Sequence, residues 1–176
     1  VVGDAAGGFG NGRMIRAGRV REPVSPGLAR ARLALAVAGE PAQAAFRADW
    51  GAMIHPPILT GALRPLATGM DWQGTPVLAF AGIADPARFF ATLRGLGARV
   101  LRGEALADHA PLSETLLRRL EAEARALGAE LVTTEKDAAR LPPAWRARVL
   151  VLVVRLEIAD WSPLDLALQR LGLPPG

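Results

Sequence analysis

Residues 76–97, PVLAFAGIADPARFFATLRGLG, decide the fold class because they form the pattern of one strand followed by one helix. Val77–Ile83 is almost wholly apolar, which predicts a strand buried on both faces, as in a parallel sheet. Asp85 is suited to cap a helix whose first residue is proline, because proline has no amide hydrogen to satisfy at that position. We expect the helix to span Pro86–Leu96 and to end at Gly97.

The same alternation of strand and helix continues towards the end of the chain. The further predicted elements are strands at Arg99–Leu101, Ala129–Thr133 and Val149–Val154, helices at Glu114–Leu127 and Pro163–Leu171, and a helical turn at Lys136–Leu141. Strands that alternate with helices and short glycine turns favour an α/β fold, an open parallel sheet with flanking helices. We therefore expect one Rossmann-like α/β domain over residues 76–176.

The first part of the chain is less regularly patterned. Val1-Val2 runs into Gly3-Asp4 like a buried strand that ends at a site, and Leu33–Val37 is a second strand-sized apolar run. Prolines and glycines punctuate residues 50–75, which disfavours a helix and suits a two-stranded ribbon or an extended linker. We expect residues 1–49 to belong to a first domain that this segment joins to the second.

The composition limits the kinds of site that the chain can hold. The net charge is +4 and the pI is near 11.1, with arginine in place of lysine almost everywhere. A basic surface of this kind can recruit nucleic acid, anionic lipid or a phosphorylated substrate. The absence of cysteine excludes disulfides and thiolate metal sites. No apolar run approaches the roughly 20 residues needed to cross a bilayer, so we expect any membrane contact to be peripheral.

A glycine-rich turn and a cluster of arginines occupy the first 23 residues, VVGDAAGGFGNGRMIRAGRVREP. Glycine lets the backbone approach a ligand closely, and the planar guanidinium group suits phosphate oxygens. The stretch nevertheless has neither the G-x-x-x-x-G-K-[ST] nor the G-x-G-x-x-G spacing, and Lys136 is the only lysine of the chain. It predicts a place for a phosphorylated ligand, with a surface turn after a core strand as the alternative.

Several segments, in the same order, resemble the tetraacyldisaccharide 4′-kinase family, the lipid A kinases of Gram-negative bacteria, whose signature is GFGNGR…PAGPLREP. They are GFGNGR at Gly8–Arg13, Ala17-Gly18, Arg21-Glu22-Pro23, Leu78–Leu93, Asp108-His109 and LVTTEKDAARL at Leu131–Leu141. The resemblance implies transfer of the γ-phosphate of ATP, with Mg²⁺, to the 4′-hydroxyl of a lipid-linked glucosamine disaccharide.

The family's Walker A loop and acidic metal-binding segment lie upstream of a strand such as Val1-Val2. We therefore expect the chain to be a fragment that needs the missing domain. Residues 1–49 would end a P-loop-type kinase domain, residues 50–75 would form a β-ribbon, and residues 76–176 would form the second domain. The expected partners are the lipid A disaccharide precursor and, peripherally, the anionic cytoplasmic face of the bacterial inner membrane, with no nucleic acid.

The resemblance also implies a catalytic role for Asp108 and His109. His109 matches the family's histidine that pairs with a catalytic aspartate of the missing domain. A histidine in a loop beyond the carboxyl end of a strand can accept a proton from a hydroxyl, or orient a carboxylate that does so. The alternative from the residues alone is an incidental, exposed loop histidine.

The motif match further predicts ligand-binding roles in the arginine-rich stretch. Arg21, Arg13 and Asn11 are expected to bind phosphate or substrate, and Glu22 to hold Mg²⁺ directly or through water. The alternatives are an ion pair that stabilises a helix or a turn, for Arg21 and Glu22, and an asparagine that tolerates a left-handed conformation, for Asn11.

The segment Thr133–Asp137, TTEKD, follows a predicted strand. It resembles nucleotide-base loops in which a lysine packs on a purine and an aspartate bonds to it, so Lys136, Glu135 and Asp137 are expected to bind ATP. Thr134 could equally cap the helical turn that follows, with Asp137 completing a capping box. Lys136 is the only lysine in a chain that otherwise uses arginine, which indicates that this position needs an ammonium group.

These features together predict a lipid kinase in lipid A biosynthesis, with the isolated chain inactive. The acceptor would lie in a cleft between two α/β domains. The alternative is a basic α/β module that binds nucleotide or RNA without catalysis.

Overall fold

The computed structural model describes residues 1–9, 23–108 and 110–173. Within them the chain forms two compact units. The first contains residues 1–64 and 155–173, and the second is Pro65–Val154. The chain therefore passes from the first unit to the second after Arg64 and returns after Val154.

The described residues form eight strands and six α-helices. In chain order they are β1 Val2–Asp4, α1 Val24–Ala29, β2 Ala34–Val37, α2 Glu40–Trp50, β3 Ile58–Pro65, β4 Pro76–Ala81, α3 Pro86–Gly95, β5 Arg99–Ala105, α4 Glu114–Ala126, β6 Glu130–Thr134, α5 Glu135–Ala138, β7 Leu150–Leu152, β8 Val154–Ile158 and α6 Ser162–Gln169. None of these helices is both long enough and apolar enough to cross a membrane.

The second unit is a parallel four-stranded sheet in the order β5-β4-β6-β7, with helices on both faces. Successive side chains of β4, an inner strand of this sheet, point to opposite faces. Val77 accordingly packs in one core cluster with Leu93 of α3, and Leu78 packs in another with Leu117 of α4. All four side chains have no exposed surface. Burial of such a side chain contributes about 1.5–3 kcal/mol each, so β4 is the strand on which both layers depend.

The predicted helix signals of this unit are confirmed. The Asp85 side chain accepts a hydrogen bond from the Arg88 backbone N–H at 3.1 Å, and α3 begins at Pro86. The Ser113 hydroxyl likewise accepts from the Leu116 backbone N–H at 3.2 Å at the start of α4. The predicted fold class, a parallel α/β sheet with flanking helices, is therefore confirmed.

The first unit contains a sheet in the order β1-β2-β3-β8, in which β1, β2 and β3 are parallel. Alternate residues of β2, Ala34 and Ala36, pack in a core cluster with Phe46 of α2. Gly61 of β3 faces β8 so closely that a Cβ atom would lie 2.8 Å from Leu156 Cδ1. Small side chains on β2 and β3 thus let their neighbours approach.

The predicted strand Val149–Val154 is wrong in one respect. The structure has two strands there, β7 in the second sheet and β8 in the first. The Val154 backbone N–H, at the change from one sheet to the other, donates to Glu135 Oε2 at 3.3 Å. A continuous apolar run cannot reveal this change, because valine and leucine suit the interior of either sheet.

The compact units also differ from the expected domain boundaries. All of β8 except Val154, and all of α6, belong to the first unit, although they were expected in a domain over residues 76–176. The expected connecting segment 50–75 contains β3, which pairs with β2 in the first sheet. The assignment of residues 1–49 to the end of a kinase domain stays a prediction.

Candidate functional site at the carboxyl edge of the second sheet

The residues that follow β4, β5 and β6 meet at one edge of the second sheet. The chain runs from β4 through α3 to one neighbour, β5, and then through α4 to the other neighbour, β6. The carboxyl end of β4 is therefore the point where the strand order reverses, and open α/β sheets bind ligands at such points. We define the edge cluster as Gly82, Asp108, Lys136, Asp137 and Arg140.

Asp137 connects β4 to β6 from within this cluster. Its carboxylate is completely buried. Oδ2 accepts hydrogen bonds from the Gly82 backbone N–H at 2.9 Å and from the Thr134 hydroxyl at 2.9 Å, and Oδ1 accepts from Arg140 Nη2 at 2.6 Å. The Thr134 hydroxyl also accepts from the Asp137 N–H at 3.2 Å, as expected for a helix cap. This geometry supports the capping alternative and gives no support to a contact between Asp137 and a nucleotide, which stays a prediction.

Gly82 suits the close packing at the end of β4. A Cβ atom there would lie 3.3 Å from each of three atoms, Ala107 O, Arg140 Nη2 and Asp137 Oδ1. Any side chain would press against the backbone after β5 and against the ion pair after β6. The absence of a side chain leaves room for these segments to converge.

An ion pair joins Asp108 to Lys136 across this edge. Lys136 Nζ donates to Asp108 Oδ1 at 3.2 Å, and the two side chains are 47% and 45% exposed. Asp108 follows β5 and Lys136 follows β6, and β4 lies between those strands. The structure thus brings together two residues that the sequence assigned to different tasks, catalysis and ATP binding.

Sequence reasoning missed the contribution of Arg140. Its guanidinium group pairs with buried Asp137, while its Nε atom is buried without a hydrogen-bond partner among the described residues. The available signal was an arginine three positions after an aspartate that follows a buried strand, a spacing at which helical side chains meet.

Charged residues of β5 and α4 pair with one another away from the edge cluster. Arg102 bonds to Glu104 and to Glu123, and Arg119 also bonds to Glu104. The hydrogen bond from Arg102, followed by that from Arg119, holds the pKa of Glu104 below its ordinary value. Because these charged side chains are paired with one another, a bound ligand is not needed to explain why they are clustered.

The turn after β1 forms a second candidate region, in the first unit. Asp4 Oδ1 accepts from the Ala6 backbone N–H at 3.1 Å, which forms an Asx turn. Gly8 has φ +52°, and a Cβ atom there would lie 2.7 Å from Trp50 Nε1. An open hollow of about 430 Å³ adjoins this turn, lined by alanines and glycines and by Phe46, Asp49 and Trp50.

Comparison with known proteins identifies the family of this chain. The model of the family described as Tetraacyldisaccharide-1-P 4'-kinase matches residues 1–171. The chain belongs to this family. The resemblance seen in the sequence is thereby confirmed.

Curated members of the tetraacyldisaccharide 4′-kinase family include close relatives of the chain. A protein of that name from Jannaschia sp. is 54% identical over 170 residues, covering 97% of this chain and 52% of the relative. One from Dinoroseobacter shibae is 54% identical over 172 residues, covering 97% and 51%. The chain thus spans about half the length of the curated relatives it matches.

A solved structure shares the fold. The "apo" form of LpxK from Aquifex aeolicus, in complex with ATP, matches with a TM-score of 0.59 and 18% identity, over 91% of this chain and 48% of that one. At this level of identity the likeness establishes the fold and no individual contact.

Several predicted site residues of this family member lie outside the described residues: Asn11, Arg13, Arg21, Glu22 and His109. Their roles in binding phosphate, substrate and Mg²⁺ and in catalysis stay predictions. Within residues 1–9, 23–108 and 110–173, no group of three or more histidine, aspartate or glutamate side chains is placed to hold a metal ion.

Proposed function

We propose that this chain supplies one side of an ATP-dependent lipid kinase, which transfers the γ-phosphate of ATP to the 4′-hydroxyl of a tetraacyl glucosamine disaccharide 1-phosphate in lipid A biosynthesis. The family match over residues 1–171 is the observation that carries the proposal. The name of the curated relatives specifies the acceptor class and the 4′ position, and the structural neighbour was solved in complex with ATP.

The proposed chemistry divides between two groups of residues. His109, with Asp108, takes the proton of the attacking hydroxyl. Arg21, together with Arg13 and Asn11, binds and neutralises phosphate, since phosphoryl transfer is accelerated chiefly by positioning and by charge stabilisation.

Nucleotide and metal binding complete the proposal. Lys136 and Glu135 contact ATP, and Glu22 holds Mg²⁺, which supplies positive charge to the phosphate oxygens. The charge of +4 supports peripheral attachment to an anionic membrane surface, proposed to be the cytoplasmic face of the inner membrane.

The test compares the 176-residue chain with a fusion to the segment of the Jannaschia relative that lies outside the match. Transfer of ³²P from γ-labelled ATP to the tetraacyl disaccharide 1-phosphate is measured. We expect none from the chain alone, because its sequence has no G-x-x-x-x-G-K-[ST] loop to hold a triphosphate. We expect transfer from the fusion, and a loss of about 10²- to 10⁴-fold in His109→Ala.

The other histidine provides the matched control. His55 is exposed in the first unit, and His55→Ala should leave the fusion's activity unchanged. Robust phosphate transfer by the chain alone would contradict the proposal, and so would a fusion whose activity is unchanged by His109→Ala. Tight RNA binding with a steep salt dependence and no kinase activity would support the binding-module alternative.

A further inference from the structure

We propose that Lys136 is a positioning residue: its ammonium group holds Asp108, the residue that precedes His109 in the sequence, at the carboxyl edge of the second sheet. The pairing itself is a structural claim about the chain. Its catalytic consequence rests on the proposed kinase function.

A long, cationic side chain at position 136 suits a contact with a carboxylate that follows a different strand. β5 and β6 flank β4, so their ends are two strand spacings apart, about 9.6 Å. The Lys136 side chain extends from the segment after β6 and places Nζ 3.2 Å from Oδ1 of Asp108, in the segment after β5. Gly82, at the end of the intervening strand, has no side chain to press on Ala107 O, which immediately precedes Asp108.

The base of the Lys136 side chain is itself held on both sides. Glu135 accepts from the Val154 backbone N–H, and Asp137 accepts from the Gly82 backbone N–H. Three consecutive residues therefore bond to three different segments of the unit. Because its neighbours are bonded in this way, Lys136 can restrict where Asp108 lies.

The pairing with Asp108 is compatible with a second contact to a phosphate. An ammonium group has three donors, and Asp108 occupies one of them. Half of the lysine side chain remains exposed to solvent. Removing the ammonium should thus displace Asp108 and slow the chemical step, even where nucleotide affinity is little changed.

The first test uses the fact that Lys136 is the only lysine in the chain. Protein labelled with ¹³C,¹⁵N-lysine gives one side-chain Nζ signal by NMR. Asp108→Asn should shift this signal, and so should about 1 M salt, where screening shortens the Debye length to about 3 Å. In the control, Asp71→Asn, the signal should stay in place, because Asp71 precedes β4 at the opposite edge of the sheet. An unchanged signal in Asp108→Asn overturns the pairing.

The second test measures kinetics in the fusion with the Jannaschia segment. Lys136→Gln should lower kcat about 10- to 100-fold, as expected for a misplaced group, a larger factor than the rise in KM for ATP that follows from the lost nucleotide contact. Lys136→Arg should recover part of kcat because it retains the charge. A raised KM with unchanged kcat would assign Lys136 to nucleotide binding alone and overturn the positioning role. An inactive wild-type fusion would contradict the proposed function, while the NMR result would still decide the pairing.

Discussion

At the scale of single residues, Asp137 is the side chain on which the carboxyl edge of the second sheet depends. Replacing it with alanine leaves the Gly82 N–H and the Arg140 guanidinium without their acceptor. Loss of a hydrogen-bonded, buried charge of this kind costs about 2–3 kcal/mol. We expect Asp137→Ala to lower the free energy of urea unfolding by that amount and to speed hydrogen exchange at the Gly82 amide. Asp71→Asn is the control, and equal exchange of Gly82 in both variants would contradict the assignment.

Gly8 illustrates a different constraint, on backbone conformation. In Gly8→Ala the residue must keep a left-handed φ of +52° while its Cβ meets Trp50 Nε1 at 2.7 Å. The conformation alone costs roughly 1–2 kcal/mol for a residue other than glycine. We expect reduced stability in thermal unfolding and a shifted Trp50 indole N–H signal. Gly51→Ala should show neither effect, since nothing lies within 4 Å of the added Cβ and φ is helical.

At the scale of elements, β5 is an edge strand of the second sheet and carries paired charges rather than an apolar face. Arg102 and Glu104 on β5 and Arg119 and Glu123 on α4 form alternating ion pairs. Charges on an edge strand oppose pairing with another sheet. The pairs also fasten α4 to β5.

The lowered pKa of Glu104 gives this network a defined pH dependence. A carboxyl group whose pKa is lower in the folded state stabilises the fold above its ordinary value of 4.5, and the contribution disappears as pH falls through the folded-state pKa. We expect Glu104→Gln to lower the unfolding free energy at pH 7 by no more than about 1 kcal/mol, since the group is near the surface.

Urea unfolding at neutral and acidic pH measures the effect. The difference between wild type and Glu104→Gln should shrink below pH 4.5 and vanish once Glu104 is protonated in both states. Glu130→Gln, at an exposed position on β6, is the control. A difference that is constant across this range would rule out the ion pairs as its source.

At the scale of the whole molecule, the second unit is one continuous stretch of chain and the first is discontinuous. Residues 65–154 contain a complete parallel sheet with helices on both faces, so we expect this segment to fold when produced alone. A well-dispersed ¹H–¹⁵N NMR spectrum that matches the signals of the intact chain would verify this. Residues 1–64 alone lack β8 and α6, and we expect them not to fold stably. A folded 1–64 segment beside an unfolded 65–154 segment would contradict this division.

The sequence by itself determined the local structure of the second unit and the family of the chain. The apolar run at β4, the aspartate–proline start of α3 and the serine cap of α4 are local signals, because each depends on residues within a few positions of one another. The motif residues 8–13 and 131–141 likewise identify the family through their order along the chain.

Only the tertiary structure decided which distant residues meet. It placed β8 in the first sheet, buried Asp137 in a hydrogen bond with the Gly82 N–H, and paired Lys136 with Asp108. The physical reason is that strand order and burial result from packing between segments tens of residues apart, and no local pattern of residue types encodes that packing.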